Sequence, residues 1–219
     1  MKSKYEAKDI SDRIVARLTL YLGILKEMSK TKTEVNSGEL SHKMNTTAVQ
    51  VRKDLSTFGE FGVRGKGYNI VKLIEMIEAI LGIDKTNDLI LVGYGKMGTM
   101  IASNIDVLGK GFKLVGIFEK DPKKIGVKIE ESNLEVKDFE ECSTFIKENN
   151  IHSAILAVNS EYGQVVAENI VNSGIKAILN MTASKLELSN DISVVNSDIS
   201  AKLQELNFWR LHKKKYWQR

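Results

Sequence analysis

The sequence is poor in the residues that build covalent or metal-based sites. One cysteine and one proline occur in 219 residues, and the three histidines, His42, His152 and His212, lie far apart. A single Cys142 excludes a disulfide framework or a cysteine-based zinc site within one chain, and it suits a reducing cytosol. Its acidic surroundings (EECSTF) raise rather than lower a thiol pKa, so we read it as structural. The histidines have neither metal-ligand nor triad spacing, and no G-x-S-x-G or H-E-x-x-H motif is present. No apolar run approaches the roughly 18 residues of a membrane span. The start, MKSKYEAKD, has no signal-peptide core, which makes the cytoplasm the expected location.

What remains has the composition of a folded protein, with 42% hydrophobic and 27% charged residues. The length is comfortable for two domains at the usual ~100–200 residues each. The net charge of +4 is unevenly spread: residues 1–80 carry +4, residues 81–209 carry −5 and residues 210–219 carry +5. A basic, acidic, basic order suits an anionic partner for one part of the chain only.

The first 80 residues read as helices. Ile14, Leu18, Tyr21, Leu22, Leu25 and Met28 recur at helical spacing. Asn36 or Ser37 can cap a short helix from Gly38 to Met44. A capping box, Thr47-x-x-Gln50, opens a third helix to about Phe58. Gly59, Gly62, Gly65 and Gly67 form a turn. A fourth helix follows the N-cap Asn69, burying Ile70, Leu73, Ile74, Ile77 and Leu81, with Gly82 as its C′ residue. Two short helices at 38–58 are helix-turn-helix grammar, and the glycines predict a two-stranded wing. Gln pairs with adenine, Arg with guanine, and Lys serves either base or phosphate. The candidate DNA contacts are therefore Thr47, Gln50, Arg52, Lys53 and Ser56 on the second helix, and Arg64, Lys66 and Tyr68 on the wing.

After the polar stretch Asp84–Asp88 the pattern becomes strand and helix in alternation. Apolar runs lie at Leu89–Val92, Leu114–Phe118, Ala154–Val158, Ala177–Leu179 and Ile192–Val195, with helical segments around 97–108, 138–149 and 160–173. This predicts a parallel, doubly wound sheet. Gly93-Tyr94-Gly95-Lys96-Met97-Gly98 joins the first strand to the first helix. In that position a G-x-G-x-x-G permits a tight turn, close approach to a pyrophosphate and close helix packing. Glu119 ends the second strand and can accept from both ribose hydroxyls, favouring NAD(H) over NADP(H). Lys120, Lys123 and Lys124 would partly offset that preference. Asp198–Trp217 reads as one helix, amphipathic at first and basic at its end. The domains are drawn as 1–82, a linker at 83–87, 88–197 and a C-terminal helix at 198–219.

The combination resembles the redox-sensing transcriptional repressor Rex family. The resemblance rests on Gln50-Val-Arg-Lys-Asp-Leu-Ser56, Phe58-Gly-Glu-Phe-Gly62, Arg64-Gly-Lys-Gly-Tyr-Asn69, the Gly93–Gly98 turn and Gly174-Ile-Lys-Ala-Ile-Leu-Asn180. It implies an α/β chain with an N-terminal winged helix-turn-helix domain and a C-terminal Rossmann domain binding NAD(H). It further implies a homodimer that exchanges its C-terminal helices, and release from palindromic double-stranded operators by NADH. Arg52 and Lys53 would then read or clamp DNA, and Arg64 and Lys66 would hold it from the wing. Asp198 would sit near the nicotinamide or the partner's DNA-binding domain. Against the family pattern, Thr19, Asn159 and Ala183 replace prolines, Gly23 an arginine, and Thr57 and Asn104 tyrosines. By that resemblance Asn104 falls near the nicotinamide and Asn159 in a loop over the cofactor site. Two other readings stay open: a winged-helix regulator with an altered NADH response, and an NAD(P)-dependent reductase. A further rival likens the second half to CoA-binding domains of acyl-CoA synthetases, which would call for a phosphorylatable histidine in a suitable loop.

Overall fold

The computed structural model describes residues 10–59 and 67–212, and it divides into two units, 1–85 and 86–219. Arg64, Lys66 and the basic residues beyond His212 lie outside the described residues. The first unit contains α1 (Asp12–Met28), β1 (Glu34–Val35), α2 (Ser37–Met44), α3 (Ala48–Ser56), β2 (Tyr68–Asn69) and α4 (Ile70–Ile80). Its core joins Leu18, Tyr21, Leu22 and Leu25 of α1 to Leu40, Val51, Leu55, Ile70, Leu73 and Ile77. Each fully buried aliphatic side chain contributes about 1.5–3 kcal/mol relative to exposure. The helix ends follow local chemistry. Asn69 accepts from the Lys72 N–H at 3.0 Å. Gly82, at φ 68°, closes α4 in a Schellman turn, with Gly82 N–H donating to Ala79 and Ile83 N–H to Glu78.

Several local expectations are corrected. The reciprocal capping box belongs to α2, between Asn36 and Glu39. Thr47 does accept from the Gln50 N–H, but the Gln50 side chain bonds Asp54 instead of returning to Thr47. The third helix ends at Ser56, not Phe58, because Phe58 N–H turns to the Leu55 carbonyl. After the glycine-rich segment, β2 pairs antiparallel with β1. That partner strand was not anticipated, since two residues are too short to show a period of two.

The second unit contains β3 (Asn87–Val92), α5 (Lys96–Ala102), β4 (Phe112–Glu119), β5 (Lys128–Ile129), β6 (Leu134–Asp138), α6 (Cys142–Glu148), β7 (Ser153–Leu156), α7 (Gly163–Ser173), β8 (Ala177–Asn180), β9 (Ser193–Asn196) and α8 (Ile199–His212). The strand order is β5-β6-β4-β3-β7-β8-β9. All neighbours are parallel except β5 and β6. From β6 to β9 this is the 3-2-1-4-5-6 order of a dinucleotide-binding fold, with its switch point between β3 and β7. Alternate residues of β3 serve opposite faces. Ile90 and Val92 pack with Ile146 of α6 and Ile170 of α7, while Leu89 and Leu91 pack with Ile101 and Ala102 of α5.

Here too the boundaries differ. Asn87, placed in the linker, begins β3 and bonds Gly111 through its backbone and side-chain nitrogens. The helix expected over 97–108 stops at Ala102 and resumes as a 3₁₀ turn at Ile105–Leu108. The segment 138–149 starts as the end of β6 and a 3₁₀ turn before α6. The strand at 154–158 ends at Leu156, where Ala157 N–H is drawn to the Val92 carbonyl. Cys142 is buried, and it is that burial, rather than its acidic neighbours, that pushes the thiol up to about 12. In α8 no residue is buried. Phe208 is exposed along with Ile199, Leu203, Leu206 and Leu211, so apolar residues extend around the helix beyond the single face expected. Among the described residues, no helix is long and apolar enough to cross a membrane.

Candidate functional site

The glycine turn lies at the carboxyl edge of β3, where ligands of this fold bind. Gly93 has φ 99°, and a Cβ there would stand 2.6 Å from the Ala157 carbonyl oxygen. A Cβ on Gly98 would stand 2.0 Å from the Gly93 carbonyl oxygen. Only glycine satisfies both positions. Gly95 is different, because a Cβ there meets no atom within 4 Å. The residue that must yield space to a pyrophosphate thus has free space, while the other two hold the turn closed. Gly95 caps α5, whose first-turn N–H groups at Lys96, Met97 and Gly98 have no acceptor within the helix. Such groups bind phosphate.

Glu119 ends the neighbouring strand and is tied to this turn. Its Oε2 accepts from Tyr94 N–H at 2.8 Å. Its Oε1 accepts from Lys120 N–H at 2.7 Å and Asp121 N–H at 3.0 Å. The Lys124 ammonium stands 3.6 Å from Oε2. Burial pushes this carboxyl up, but the three backbone donors and the Lys124 charge outweigh it and hold the pKa below the ordinary glutamate value. The group is a carboxylate at neutral pH. Of the three nearby lysines, Lys124 makes the ion pair, whereas Lys120 contributes its backbone N–H. An open glycine turn beside a fixed carboxylate fits the diphosphate and ribose of NAD(H).

The remaining nucleotide candidates are dispersed. Asn159 follows β7 at the same sheet edge and is exposed. Asp198 caps α8, accepting from Ala201 N–H at 3.1 Å. Asn104 bonds back to the Met100 carbonyl at 2.8 Å. It stands at the far end of α5, about 10 Å from the glycine turn at 1.5 Å per residue.

In the first unit, α2 and α3 form the expected pair. The stripe Val51, Asp54 and Leu55 of α3 is buried, whereas Val49, Arg52, Lys53 and Ser56 are exposed. Arg52 reaches Ser37 Oγ of α2 at 2.8 Å. Ser56 Oγ donates to the Lys53 carbonyl, and Thr47 Oγ1 is engaged in its cap. Tyr68 is half-buried; burial raises its hydroxyl pKa against the lowering charge of Arg52.

Sequence reasoning missed the polar hub under this helix. Asp54 is 1% exposed. It accepts from Arg17 Nε at 2.6 Å and Nη2 at 2.7 Å, from the Tyr21 hydroxyl at 3.0 Å and from Gln50 Nε2 at 2.7 Å. Burial pushes the Asp54 carboxyl up, but these donors prevail and hold it below the usual aspartate value. The available signal was an acid on the apolar stripe of a helix, at the i+3 position from Val51.

Comparison with known proteins agrees with this arrangement. Residues 9–56 match the family "Putative DNA-binding protein N-terminus", and residues 84–184 match "CoA binding domain". The redox-sensing transcriptional repressor Rex of Desulforamulus reducens is 38% identical over 204 residues, covering 93% of this chain and 96% of that protein. Rex 1 of Thermotoga maritima is 39% identical over 203 residues, covering 92% and 96%. The chain belongs to the Rex family. A Rex-family repressor, RSP, has been solved in complex with β-NAD+ and operator DNA. That structure has a TM-score of 0.86 and 37% identity, with 93% of each chain covered. RSP with β-NADH gives a TM-score of 0.84 and 36% identity, covering 93% of this chain and 95% of that one. The Rex likeness therefore spans both units, and the match to CoA-binding domains concerns the nucleotide unit alone.

Proposed function

We propose that this Rex-family chain is a cytoplasmic DNA-binding repressor that senses the NADH/NAD+ ratio, with NADH releasing it from palindromic operators. The observation that carries the reading is its likeness along nearly the whole chain to RSP, which binds both nucleotides and operator DNA. In this reading the domains are 1–82, 88–197 and a C-terminal helix from 198, with no catalytic residue. Thr47, Gln50, Arg52, Lys53 and Ser56 of α3, with Arg64, Lys66 and Tyr68 of the wing, meet the DNA. Residues 93–98 hold the pyrophosphate. Glu119 and Lys120 serve the ribose, and Asn159, Asp198 and Asn104 lie toward the nicotinamide. NAD+ carries one more positive charge on that ring than NADH, and a carboxylate such as Asp198 distinguishes the two.

The exposed apolar residues of α8 support a homodimer that exchanges these helices, since such a surface calls for a partner. Twofold symmetry of the dimer matches half-sites separated by whole helical turns, ~34–36 Å each. A second reading, a regulator with an altered NADH response, is favoured by Gly23 and by Asn104, whose amide is spent on the Met100 carbonyl.

Calorimetric titration tests the nucleotide assignment. The wild type is expected to bind NADH and NAD+ in preference to their phosphorylated forms. Glu119→Arg is expected to move the preference toward NADP(H), because a cation replaces the carboxylate that repels a 2′-phosphate. An unchanged preference would remove Glu119 from the site.

A further inference from the structure

Resting on the reading of α3 as the DNA-recognition helix, we propose that Gln50 is a base-selecting residue locked by Asp54. It would recognise an amino group on a base edge, adenine N6 or cytosine N4, through its side-chain carbonyl. Three observations lead there. Gln50 is the third residue of α3, and the N-terminal residues of a recognition helix are those that reach base edges in the major groove. Its Nε2 donates to Asp54 Oδ1 at 2.7 Å. A carboxylate accepts only, so the amide's NH₂ end must face it. The carbonyl end is thereby turned away from the buried acid, as an acceptor whose orientation is settled by chemistry rather than by fitting.

The third observation is that Asp54 is itself held in place by two other side chains. Arg17 holds both of its oxygens, and the Tyr21 hydroxyl holds Oδ2. The side chain of Gln50 is therefore ordered before any DNA arrives, which lowers the ordering cost of a contact. In the major groove the amino groups belong to adenine and cytosine, whereas guanine and thymine offer acceptors that would face the Gln50 oxygen. Asp54 acts as the positioning residue, and Gln50 as the reader.

Selection from a pool of duplexes with a randomised centre, using the full chain without NADH, tests this. The wild type is expected to enrich a twofold-symmetric motif with one position in each half-site restricted to A or C on one strand. Substituting that position is expected to cost roughly 5- to 150-fold in affinity, the usual span for one mismatched base pair. Gln50→Ala is expected to randomise that position while keeping the rest of the motif, a change that a loss of stability alone does not produce. Asp54→Asn, if folded, is expected to relax the same position; if it does not fold, Gln50→Ala decides. Gln50→Ala enriching the wild-type motif with the restriction intact would overturn the proposal. A wild-type chain that enriches no motif would instead overturn the DNA-reader assignment, and this one with it.

Discussion

Gly98→Ala is expected to abolish NADH binding and to destabilise the nucleotide unit. A methyl group there would lie 2.0 Å from the Gly93 carbonyl oxygen, well inside van der Waals contact. Neither partner can give way cheaply. Gly93 is held by its N–H bond to the Phe118 carbonyl at 2.8 Å, and Gly98 is buried against the sheet. The turn or the first turn of α5 must shift, and with it the N–H groups proposed to hold the phosphates. Overpacking of this kind costs about 1–3 kcal/mol or more. For a chain of this size each kcal/mol lowers Tm by roughly 2–4 °C. Gly95→Ala is the control, since its methyl would meet no protein atom. It is expected to keep the Tm and to weaken nucleotide binding. Equal thermal losses for both variants would contradict the division of roles between these glycines.

Arg17→Ala is expected to cost the DNA-binding unit about 3 kcal/mol, the lower part of the range for stranding one partner of a buried ion pair. The lower part applies because the Arg17 side chain is 26% exposed and because Tyr21 and Gln50 still donate to Asp54. The loss should depend on pH in a defined direction. In the wild type the Asp54 carboxyl lies below its ordinary value. Its contribution is therefore complete above the unfolded pKa of about 3.9 and lost as pH falls through the folded one. Without Arg17, desolvation is opposed by Gln50 and Tyr21 alone and the folded pKa rises from its wild-type position, so the loss is largest at neutral pH and smaller as the carboxylate becomes protonated. Urea unfolding of both proteins at neutral and acidic pH should show the difference narrowing with acidification. A difference that stays constant or widens would mean that the ion pair is not the cause.

Much of the fold was legible because its signals are long or local in sequence. Helical spacing in α1 and α4, the caps at Asn69 and Gly82, and the strand–glycine–helix passage at residue 93 each depend on residues close in sequence. The errors fall where tertiary contacts decide. The pairing of Val35 with Tyr68 joins segments too short to show periodicity. The break after Ala102 is an exception of local origin, coming where Asn104 turns its amide back onto Met100, four residues earlier. Gln50 illustrates the same limit at the site. Its type and its place on α3 pointed to base recognition, but the Asp54 that engages its amide is held by Arg17 and Tyr21, 37 and 33 residues from Asp54. Spacing alone proposes Glu119 as a ribose partner. Its contact with the glycine turn through Tyr94 was visible only once the two strands lay side by side.

If NADH releases the repressor, nucleotide and DNA compete through one conformational equilibrium. Fluorescence anisotropy of an enriched duplex with the full chain, at fixed salt, with saturating NADH or NAD+, tests this competition. Coupling of the usual size predicts that NADH weakens DNA binding by roughly 5- to 150-fold, with NAD+ leaving it largely intact. DNA affinity that is the same with NADH, with NAD+ and with neither would contradict the redox switch.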